Sequence, residues 1–242
     1  MLIGPQNSPV AAALYANLCA LQQEVALCLQ SAHRRADSVT LVAVSKGHPA
    51  SAVRALAALG QAHFGESYLQ EAEPKLGQLR DLELVWHFIG RLQANKTRAV
   101  AERFDWVHAV DRLRIAERLS AQRPHYAPPL RTCIQVNVEA EPGKGGVAPE
   151  SAEELALAVH ALPRLELRGL MCILPEGRGH EADRRSFAAL RQLSERIQGR
   201  GLKLDTLSMG MSADFRAALL EGATLIRIGT ALFGPRSDAP VG

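Results

Sequence analysis

Eight short apolar runs, separated by segments with helical spacing, constrain the fold of this chain more than any other feature of its sequence. Strands that alternate with helices form βαβ units, and such units build a parallel sheet. The predicted strands are 40–45, 63–66, 84–89, 106–110, 132–138, 165–173, 206–209 and 224–228. The helices predicted after the first seven strands are 50–60, 68–79, 94–103, 112–121, 149–161, 182–199 and 213–221.

The number of strand–helix units predicts the architecture. Eight units in 242 residues match the (β/α)₈ barrel, which takes about 250 residues. The predicted fold is therefore α/β, a single (β/α)₈ TIM barrel with an extra N-terminal helix. An open doubly wound sheet is the competitor, but the first strand lacks the glycine-rich turn that its dinucleotide-binding version needs. We expect one domain over 1–242, in which the N-terminal helix segment 1–38 packs on the barrel and 236–242 is a tail.

Charge and composition narrow the function classes. The chain carries 28 Lys and Arg against 25 Asp and Glu, and its net charge of +3 is too small to indicate a nucleic-acid or membrane surface. The apolar segment 10–29 is interrupted by polar residues, so we expect no membrane span, and no basic secretory signal precedes it. Four cysteines without a CxxC pair are expected to be small hydrophobic side chains in a reducing compartment, which favours a cytoplasmic protein.

Lys46 is the first candidate functional residue, because the stretch LVAVSKGHP (41–49) ends an apolar strand with a lysine. Active sites of this barrel lie at the carboxyl ends of its strands. Lys46 shares the parity of Val42 and Val44, so its side chain can point into the barrel mouth. Partial desolvation there would lower the pKa of the amine and favour Schiff-base formation. The alternative is a lysine that extends to solvent from a strand end.

The last two strands supply the other candidates. Arg227 interrupts the apolar run TLIRIGTALFG (224–234), and a buried guanidinium needs an anionic or hydrogen-bonding partner. Gly229 and Thr230 follow in the region where this barrel commonly binds phosphate. Ser212, in LSMGMSADF (207–215), can cap the next helix and also face a phosphate. A lysine, phosphate donors and an arginine form the set that a pyridoxal 5′-phosphate (PLP) site requires.

Other groups of residues give weaker indications of a functional site. The stretch PGKGG (142–146) lacks the spacing of a Walker phosphate loop. The eight histidines contain no HxH or HExxH pair, so no metal site is predicted. His87 and His108 lie within strands and are predicted to be hydrogen-bonded core or rim residues rather than general bases. An unrelated phosphate-binding barrel such as an aldolase remains a remote third option.

Seven ordered motifs give a close resemblance over about 41–234. They are LVAVSKGHP, FGESYLQEAEPK, WHFIGRLQANKTR, FDWVHAVDRLRIAERLS, LRGLMCI, LSMGMSADF and IRIGTALFG. The series resembles that of the pyridoxal-phosphate homeostasis protein family, which shares the alanine racemase N-terminal-domain fold. The resemblance implies PLP held as an internal aldimine on Lys46, with Ser212, Gly229 and Thr230 at its phosphate and Arg227 facing the pyridine nitrogen. An arginine there disfavours protonation of that nitrogen and weakens the electron sink.

Three positions depart from the family pattern. Ser67 replaces an asparagine near the cofactor, Arg91 adds a charge at the rim, and Cys172 is expected to be a packing exchange. The first of these bears directly on the predicted site.

Two functions from different classes follow from the resemblance. The first is a non-catalytic PLP carrier or regulator in vitamin B6 homeostasis, with effects on amino-acid and keto-acid metabolism and with apo PLP-enzymes as possible acceptors. The second is a PLP-dependent amino-acid racemase, which needs an acid/base on each face of the substrate. The resembling racemases take one base from an added domain, for which this sequence leaves no room after the barrel. The carrier is therefore expected, and without that domain's dimer contact we expect a monomer.

A separate hypothesis concerns Lys144 as a second amine near the cofactor. Lys144 follows the fifth strand, and loops after barrel strands converge on the mouth. It is either a solvated loop lysine or a second amine that approaches the cofactor held by Lys46. Gly143, Gly145 and Gly146 would let the loop move, because glycine relaxes backbone restrictions.

Overall fold

The computed structural model describes residues 9–235, and within them eight parallel strands close into a barrel in chain order. The strands are β1 (Thr40–Val44), β2 (His63–Glu66), β3 (Val85–Phe88), β4 (Trp106–Val110), β5 (Leu130–Gln135), β6 (Leu165–Met171), β7 (Thr206–Ser208) and β8 (Leu225–Ile228). The barrel closes where β8 pairs with β1, with Arg227 opposite Val42. The predicted (β/α)₈ barrel is confirmed.

Helices lie between the strands and at both ends of the described chain. They are α1 (Pro9–Ser31), α2 (Ala50–Ala57), α3 (Leu69–Gln78), α4 (Thr97–Arg103), α5 (Leu113–Gln122), α6 (Ala152–His160), α7 (His180–Gln198), α8 (Phe215–Leu220) and α9 (Thr230–Phe233). Three short 3-10 turns accompany them at Ala36–Ser38, Ala94–Lys96 and Pro149–Ser151. The short helix α9 was not predicted.

Strand ends at the barrel mouth were the least accurate predictions. The fifth strand was predicted as 132–138 but spans Leu130–Gln135, and the sixth ends at Met171 rather than at 173. Beyond β5 the backbone turns to the following loop, where the Asn137 N–H donates to the Val147 carbonyl oxygen at 2.9 Å. Val136 and Cys172 are both 1% exposed, so apolar character continues past the last residue of each strand. Hydrophobicity therefore cannot mark where these strands end.

The inside of the barrel contains a polar layer. His108 on β4 lies 2.8 Å from the hydroxyl of Ser208 on β7, and these strands are not neighbours in the sheet. A contact between non-adjacent strands must cross the lumen. His87, His108 and Ser208 are completely buried, and Arg227 is nearly so. Most apolar side chains, by contrast, form one large cluster that includes residues of the strands and of the surrounding helices.

The N-terminal helix α1 contacts α2, α8 and α9. Four buried leucines lie along it: Leu14, Leu18, Leu21 and Leu29. The Asn17 side-chain amide donates to the Leu232 carbonyl oxygen at 2.9 Å, and Arg34 beyond the helix donates to the Leu219 carbonyl oxygen at 2.8 Å. By length and composition alone α1 could cross a membrane, with a mean hydropathy of 1.2, although core helices of soluble proteins pass the same test. The division into 1–38, barrel and tail stays a prediction, and residues 1–8 and the 236–242 tail lie outside the described residues.

Candidate cofactor site at the barrel mouth

All five residues predicted to hold a cofactor line one cavity of about 480 Å³. They are Lys46 after β1, Ser212 after β7, Arg227 in β8, and Gly229 and Thr230 after β8. The cavity lies at the carboxyl ends of the strands, where barrels of this type carry their active sites. Residues far apart in the sequence are therefore brought together at one cavity, and their roles towards a cofactor stay a prediction.

The backbone on both sides of Lys46 is fixed by α3. Lys75 Nζ donates to the Ser45 carbonyl oxygen at 2.7 Å, and the Gly47 N–H donates to Glu71 Oε2 at 2.9 Å. Gly47 has a φ of 75°, in the left-handed region that glycine adopts without steric cost. Because both neighbours of Lys46 are held, its half-buried side chain leaves the strand end in a defined direction, towards the cavity.

A buried ion pair stabilises this corner of the barrel. Lys75 Nζ lies 2.7 Å from Glu66 Oε1, which also accepts a hydrogen bond from Ser45 Oγ at 2.6 Å. The lysine side chain is 10% exposed and the glutamate side chain 0%. Burial raises the pKa of Glu66, while Lys75 and the hydrogen bonds oppose that rise. Within residues 9–235, Glu66 Oε2 has no hydrogen-bond partner. The pair connects β2, α3 and the end of β1.

Arg227 is also a buried cation, but it contacts neutral oxygens. Its Nη1 donates to Ser208 Oγ at 2.7 Å, and its Nη2 donates to the Cys172 carbonyl oxygen at 2.8 Å. No ion pair of Arg227 occurs in the part of the chain that the structure describes. Burial lowers the pKa of the guanidinium, because its charged form is poorly solvated there. A guanidinium has five N–H donors, so Arg227 can still offer donors and positive charge to a ligand in the cavity.

Ser212 connects the loop after β7 to the first turn of α9. Its hydroxyl accepts a hydrogen bond from the Ala231 N–H at 3.3 Å. The expectation that Ser212 caps the next helix is wrong, because α8 begins at Phe215 and Asp214 occupies the N-cap position. The Asp214 carboxylate turns back to accept from the Met211 N–H at 2.5 Å. The Ser212 hydroxyl still has its own proton to donate, so it remains a candidate phosphate ligand.

A second, larger cavity of about 660 Å³ adjoins the first. Lys46 and Ser67 line both cavities. Arg91, Lys96 and Lys144 line the larger one, and no acidic side chain occurs among its described lining residues. The excess of positive charge makes it suitable for an anionic molecule that approaches or leaves Lys46.

Lys144 therefore lies near the predicted site, and its loop has a defined backbone conformation. Lys144 Nζ donates to Glu141 Oε1, and its side chain is 33% exposed. Gly143 and Gly146 have φ values of 78° and 121°. A Cβ at Gly146 would lie 2.8 Å from the Asn137 backbone nitrogen. At these two positions glycine is required by the observed conformation, whether or not the loop also moves.

The three departures from the family pattern have different surroundings. Ser67 lies against Gly90, where a Cβ would lie 2.0 Å from the Ser67 carbonyl oxygen, and it faces both cavities. Arg91 is exposed at the rim of the larger cavity. Cys172 contributes its backbone carbonyl to Arg227, while burial raises the pKa of its thiol to about 12. Cys133 is likewise buried with a thiol pKa of about 12, so both behave as small hydrophobic side chains.

Sequence reasoning missed the residues that support the site. Glu66, Glu71 and Lys75 belong to a quoted motif, yet their roles as anchors of the Lys46 segment were not predicted. Ser208 was also missed, although its inward parity relative to the mouth residues was visible in the sequence. His87 and His108 are hydrogen-bonded core residues as predicted, with His63 as an additional partner.

Comparisons with known proteins identify the family. The model of the alanine racemase N-terminal domain matches residues 17–237. A Pseudomonas aeruginosa protein named pyridoxal phosphate homeostasis protein is 53% identical over 220 residues, which cover 91% of this chain and 94% of that protein. The chain belongs to the pyridoxal phosphate homeostasis protein family, which has the alanine racemase N-terminal domain.

Two solved structures extend the comparison. PipY of Synechococcus elongatus, solved with PLP bound, is a member of the same fold with a TM-score of 0.77 and 41% identity, covering 87% of this chain and 100% of that one. Alanine racemase from Corynebacterium glutamicum has a TM-score of 0.66 at 21% identity, covering 93% of this chain and 63% of that one. The racemase shares the fold, and the closer family relatives carry the name of a homeostasis protein.

Proposed function

We propose that the protein binds PLP at the cavity beside Lys46 and acts as a non-catalytic carrier or regulator in PLP homeostasis. The observation that carries the proposal is the convergence of one amine, one guanidinium, the three hydroxyls of Ser67, Ser212 and Thr230, and a glycine-containing loop on a cavity of about 480 Å³. That volume is within the range of small-molecule sites. The PLP-bound structure of PipY and the names of the homeostasis relatives support the same cofactor and role.

Each chemical feature of PLP has a matching group in this cavity. Lys46 Nζ would form the Schiff base with the aldehyde, while Ser212, Thr230 and the backbone at Gly229 would hold the phosphate. Arg227 would face the pyridine nitrogen. PLP supplies an aldehyde and an electron-accepting ring, and the protein determines how much of that chemistry is used. The positive charge of Arg227 would disfavour protonation of the ring nitrogen and so favour retention of the cofactor over carbanion chemistry.

The alternative, an amino-acid racemase, requires a second acid/base opposite Lys46. Among the described residues that line the cavity with Arg227 there is no tyrosine or histidine. Tyr68 lines only the neighbouring cavity and is 55% exposed, which makes it the candidate base for this alternative. Three carboxylates, Glu176, Asp183 and Asp214, do line that cavity. The carrier function is favoured because the relatives are named as homeostasis proteins.

Delivery of PLP would use the larger cavity. Arg91, Lys96 and Lys144 would attract the phosphate electrostatically, and apo PLP-enzymes would be the acceptors. Lys144 would either guide the phosphate or take the aldehyde briefly during transfer. A Lys144→Ala variant should then keep the absorbance spectrum of the PLP-loaded protein but transfer PLP more slowly to an apo-enzyme. Equal transfer rates at matched cofactor occupancy would remove Lys144 from the route.

The proposal also includes a cellular location and an oligomeric state. We propose a monomer in the cytoplasm, and the cytoplasmic location is supported by the four free cysteines among residues 9–235. The knock-on effects on amino-acid and keto-acid metabolism would then arise from altered PLP supply to other enzymes.

An absorbance titration with a coupled turnover assay tests the proposal. The purified protein should acquire a visible Schiff-base band at one equivalent of PLP, and Lys46→Ala should not. With a panel of L-amino acids and D-amino-acid-oxidase coupling, the loaded protein should show only trace turnover. A turnover number above about 1 s⁻¹ would establish an enzyme instead of a carrier.

A further inference from the structure

A continuous chain of hydrogen bonds crosses the interior of the barrel and ends at Arg227. His63 Nδ1 lies 2.9 Å from His87 Nε2, and His87 Nδ1 lies 2.9 Å from His108 Nε2. His108 Nδ1 lies 2.8 Å from Ser208 Oγ, which accepts the hydrogen bond from Arg227 Nη1. We call His63, His87 and His108 the histidine relay.

The relay climbs the barrel from one end to the other. His63 is the first residue of β2, and its register partner on β3 is Val85, two residues before His87. His87 in turn is the partner of Trp106, two residues before His108. Each step therefore rises along the strands towards the mouth. At the lower end His63 lines a separate cavity of about 250 Å³, together with Trp106, Arg168 and Asp205.

Two simpler explanations account for less of this arrangement. Within residues 9–235 no group of three or more His, Cys, Asp or Glu side chains is placed to hold a metal ion. The rings connect in series, and they do not converge on one point. Core histidines that merely satisfy one another would not need to end on the arginine of the cofactor cavity, as this series does.

The hydrogen-bonding chemistry gives the relay a direction. Arg227 can only donate, so Ser208 Oγ accepts from it and has one proton of its own. Within residues 9–235 that proton has one acceptor, His108 Nδ1. His108 must then carry its proton on Nε2 and donate to His87, and His87 must do the same towards His63. A single tautomer, with the proton on Nε2, is thereby set for all three rings.

We propose that the histidine relay positions Arg227 in the cofactor cavity and transmits the protonation state of His63, at the opposite end of the barrel, to that site. The part that concerns PLP rests on the proposed function. The part that concerns the relay and Arg227 applies to the protein without PLP as well.

Protonation of His63 would disrupt the hydrogen-bond direction that the three Nε2–H tautomers share. A second proton on His63 Nδ1 would face the Nε2 proton of His87, so either that hydrogen bond is lost or His87 and His108 both move their proton from Nε2 to Nδ1. After reversal Ser208 Oγ would receive donors from both His108 and Arg227, and its own proton would have no acceptor within the described residues. Ser208 Oγ has two lone pairs and could still accept from Arg227, but its buried proton would be unpaired, so this support of Arg227 would be less stable.

The surroundings decide where a proton enters. His63 is half-buried, whereas His87 and His108 are completely buried. Burial and Arg131 lower the pKa of His63, and Asp105 opposes this. Burial and the neighbouring His108, His63 and Arg131 lower the pKa of His87, and burial and Arg227 lower that of His108. Further charges at the lower cavity are Asp37, Arg168 and Asp205. All three rings are therefore neutral at pH 7, and acid reaches His63 first.

The first experiment concerns the tautomers and needs no cofactor. Nitrogen NMR of the ¹⁵N-histidine-labelled apo protein at pH 7.5 should show the Nε2–H tautomer at His63, His87 and His108. Ser208→Ala removes the group that transmits the direction, and mixed tautomers should appear. Mixed or Nδ1–H tautomers in the wild type would overturn the proposal.

The second experiment measures the coupling with His63→Asn. Asparagine places an acceptor near the position of Nδ1 but cannot titrate, and exposed His125→Asn is the matched control. Wild type and control should lose PLP affinity by about fivefold or more as His63 becomes protonated, the lower range of measured couplings, while His63→Asn lacks this loss. Identical pH profiles for His63→Asn and wild type would refute the coupling.

If wild type binds no PLP at pH 8, the proposed function fails separately. The relay is then tested in the apo protein, in which the guanidinium NMR signal of Arg227 should shift in step with the protonation of His63 during an acid titration. That shift should be absent in His63→Asn, and its persistence there would refute the relay.

Discussion

Two buried cations lie close to the barrel mouth, and their environments differ. Lys75 is neutralised by Glu66 at 2.7 Å and anchors the backbone of Ser45. Arg227 is held by a hydroxyl and a carbonyl, without an ion pair among the described residues. The charge of Lys75 is compensated by Glu66, a residue of the same fold. The charge of Arg227 is incompletely compensated, so it is available to a ligand. The difference separates a structural charge from a functional one within the same barrel.

Breaking the Lys75–Glu66 pair should give the largest effect. Lys75→Met would leave the Glu66 carboxylate buried without its cation, and the free energy of unfolding should fall by about 3–5 kcal/mol. The matched control is Arg54→Met, which breaks an Arg54–Asp81 pair whose side chains are 42% and 57% exposed. That change should cost about 1 kcal/mol or less. Urea denaturation of both variants measures the contrast, and equal losses would contradict a structural role specific to the buried pair.

Acid should destabilise the protein through the polar interior. The pKa values of His87 and His108 lie well below 6.5 in the folded state because burial disfavours their charged forms. Below pH 6.5 the unfolded chain therefore binds more protons than the native protein, and stability falls as pH decreases. Two such histidines give a slope of about 2.7 kcal/mol per pH unit until they protonate in the native state. The raised pKa of Glu66 acts with the opposite sign at lower pH.

Urea denaturation at several pH values between 7 and 5 measures this slope. The exposed-loop variant His125→Asn should retain the wild-type slope. A flat profile over this window would mean that the interior histidines are not held neutral by burial.

Arg227 should behave in the opposite way to Lys75. Arg227→Met removes a buried charge that has no ion-pair partner among residues 9–235, but it leaves Ser208 Oγ and the Cys172 carbonyl without a donor, so the free energy of unfolding should fall by about 1–3 kcal/mol, less than for Lys75→Met. PLP retention should weaken by about 2 kcal/mol, the cost of losing a hydrogen bond from a charged group. Equilibrium dialysis and urea denaturation of the same sample separate the two quantities. A large stability loss with unchanged PLP affinity would reverse the assignment of roles.

The phosphate corner should show smaller, separate losses. Thr230→Val and Ser212→Ala should each weaken PLP retention by about 1–3 kcal/mol, because each removes a hydroxyl donor to an anion. Ser208→Ala is not a suitable control since it also changes Arg227, whereas exposed Ser31→Ala is one. Unchanged affinity in both hydroxyl variants would remove Ser212 and Thr230 from the phosphate site.

The two cations also illustrate how far the sequence could predict this site. Lys46 ends an apolar strand, so strand parity and the barrel rule predicted it at the mouth. Arg227 interrupts an apolar run, which predicted a buried guanidinium that needs a partner. Lys75 lies on a helix with ordinary polar neighbours, and nothing local distinguishes it from a solvated lysine. Its partners are Glu66 and Ser45, nine and 30 residues away, and their contact depends on how β1, β2 and α3 pack.

The same limit applies to the interior of the barrel. His108 and Ser208 are 100 residues apart, and their contact exists because β4 and β7 face each other across the lumen. Repeated strand–helix units predicted the closed barrel, but not which inward residues would meet. The error at Ser212 is of this kind, because its hydroxyl accepts a hydrogen bond from Ala231 in α9 rather than capping α8.

The most direct test of the account is to trap the cofactor on the protein and locate the modified lysine. Borohydride reduction of the PLP-loaded protein, followed by peptide mass mapping, should place the pyridoxyl group on Lys46. Lys144, which lines the adjoining cavity, should carry at most a minor adduct, and Lys75 should carry none because Glu66 and the Ser45 carbonyl occupy its ammonium group. A major adduct on any other lysine, with Lys46 unmodified, would contradict the proposed site.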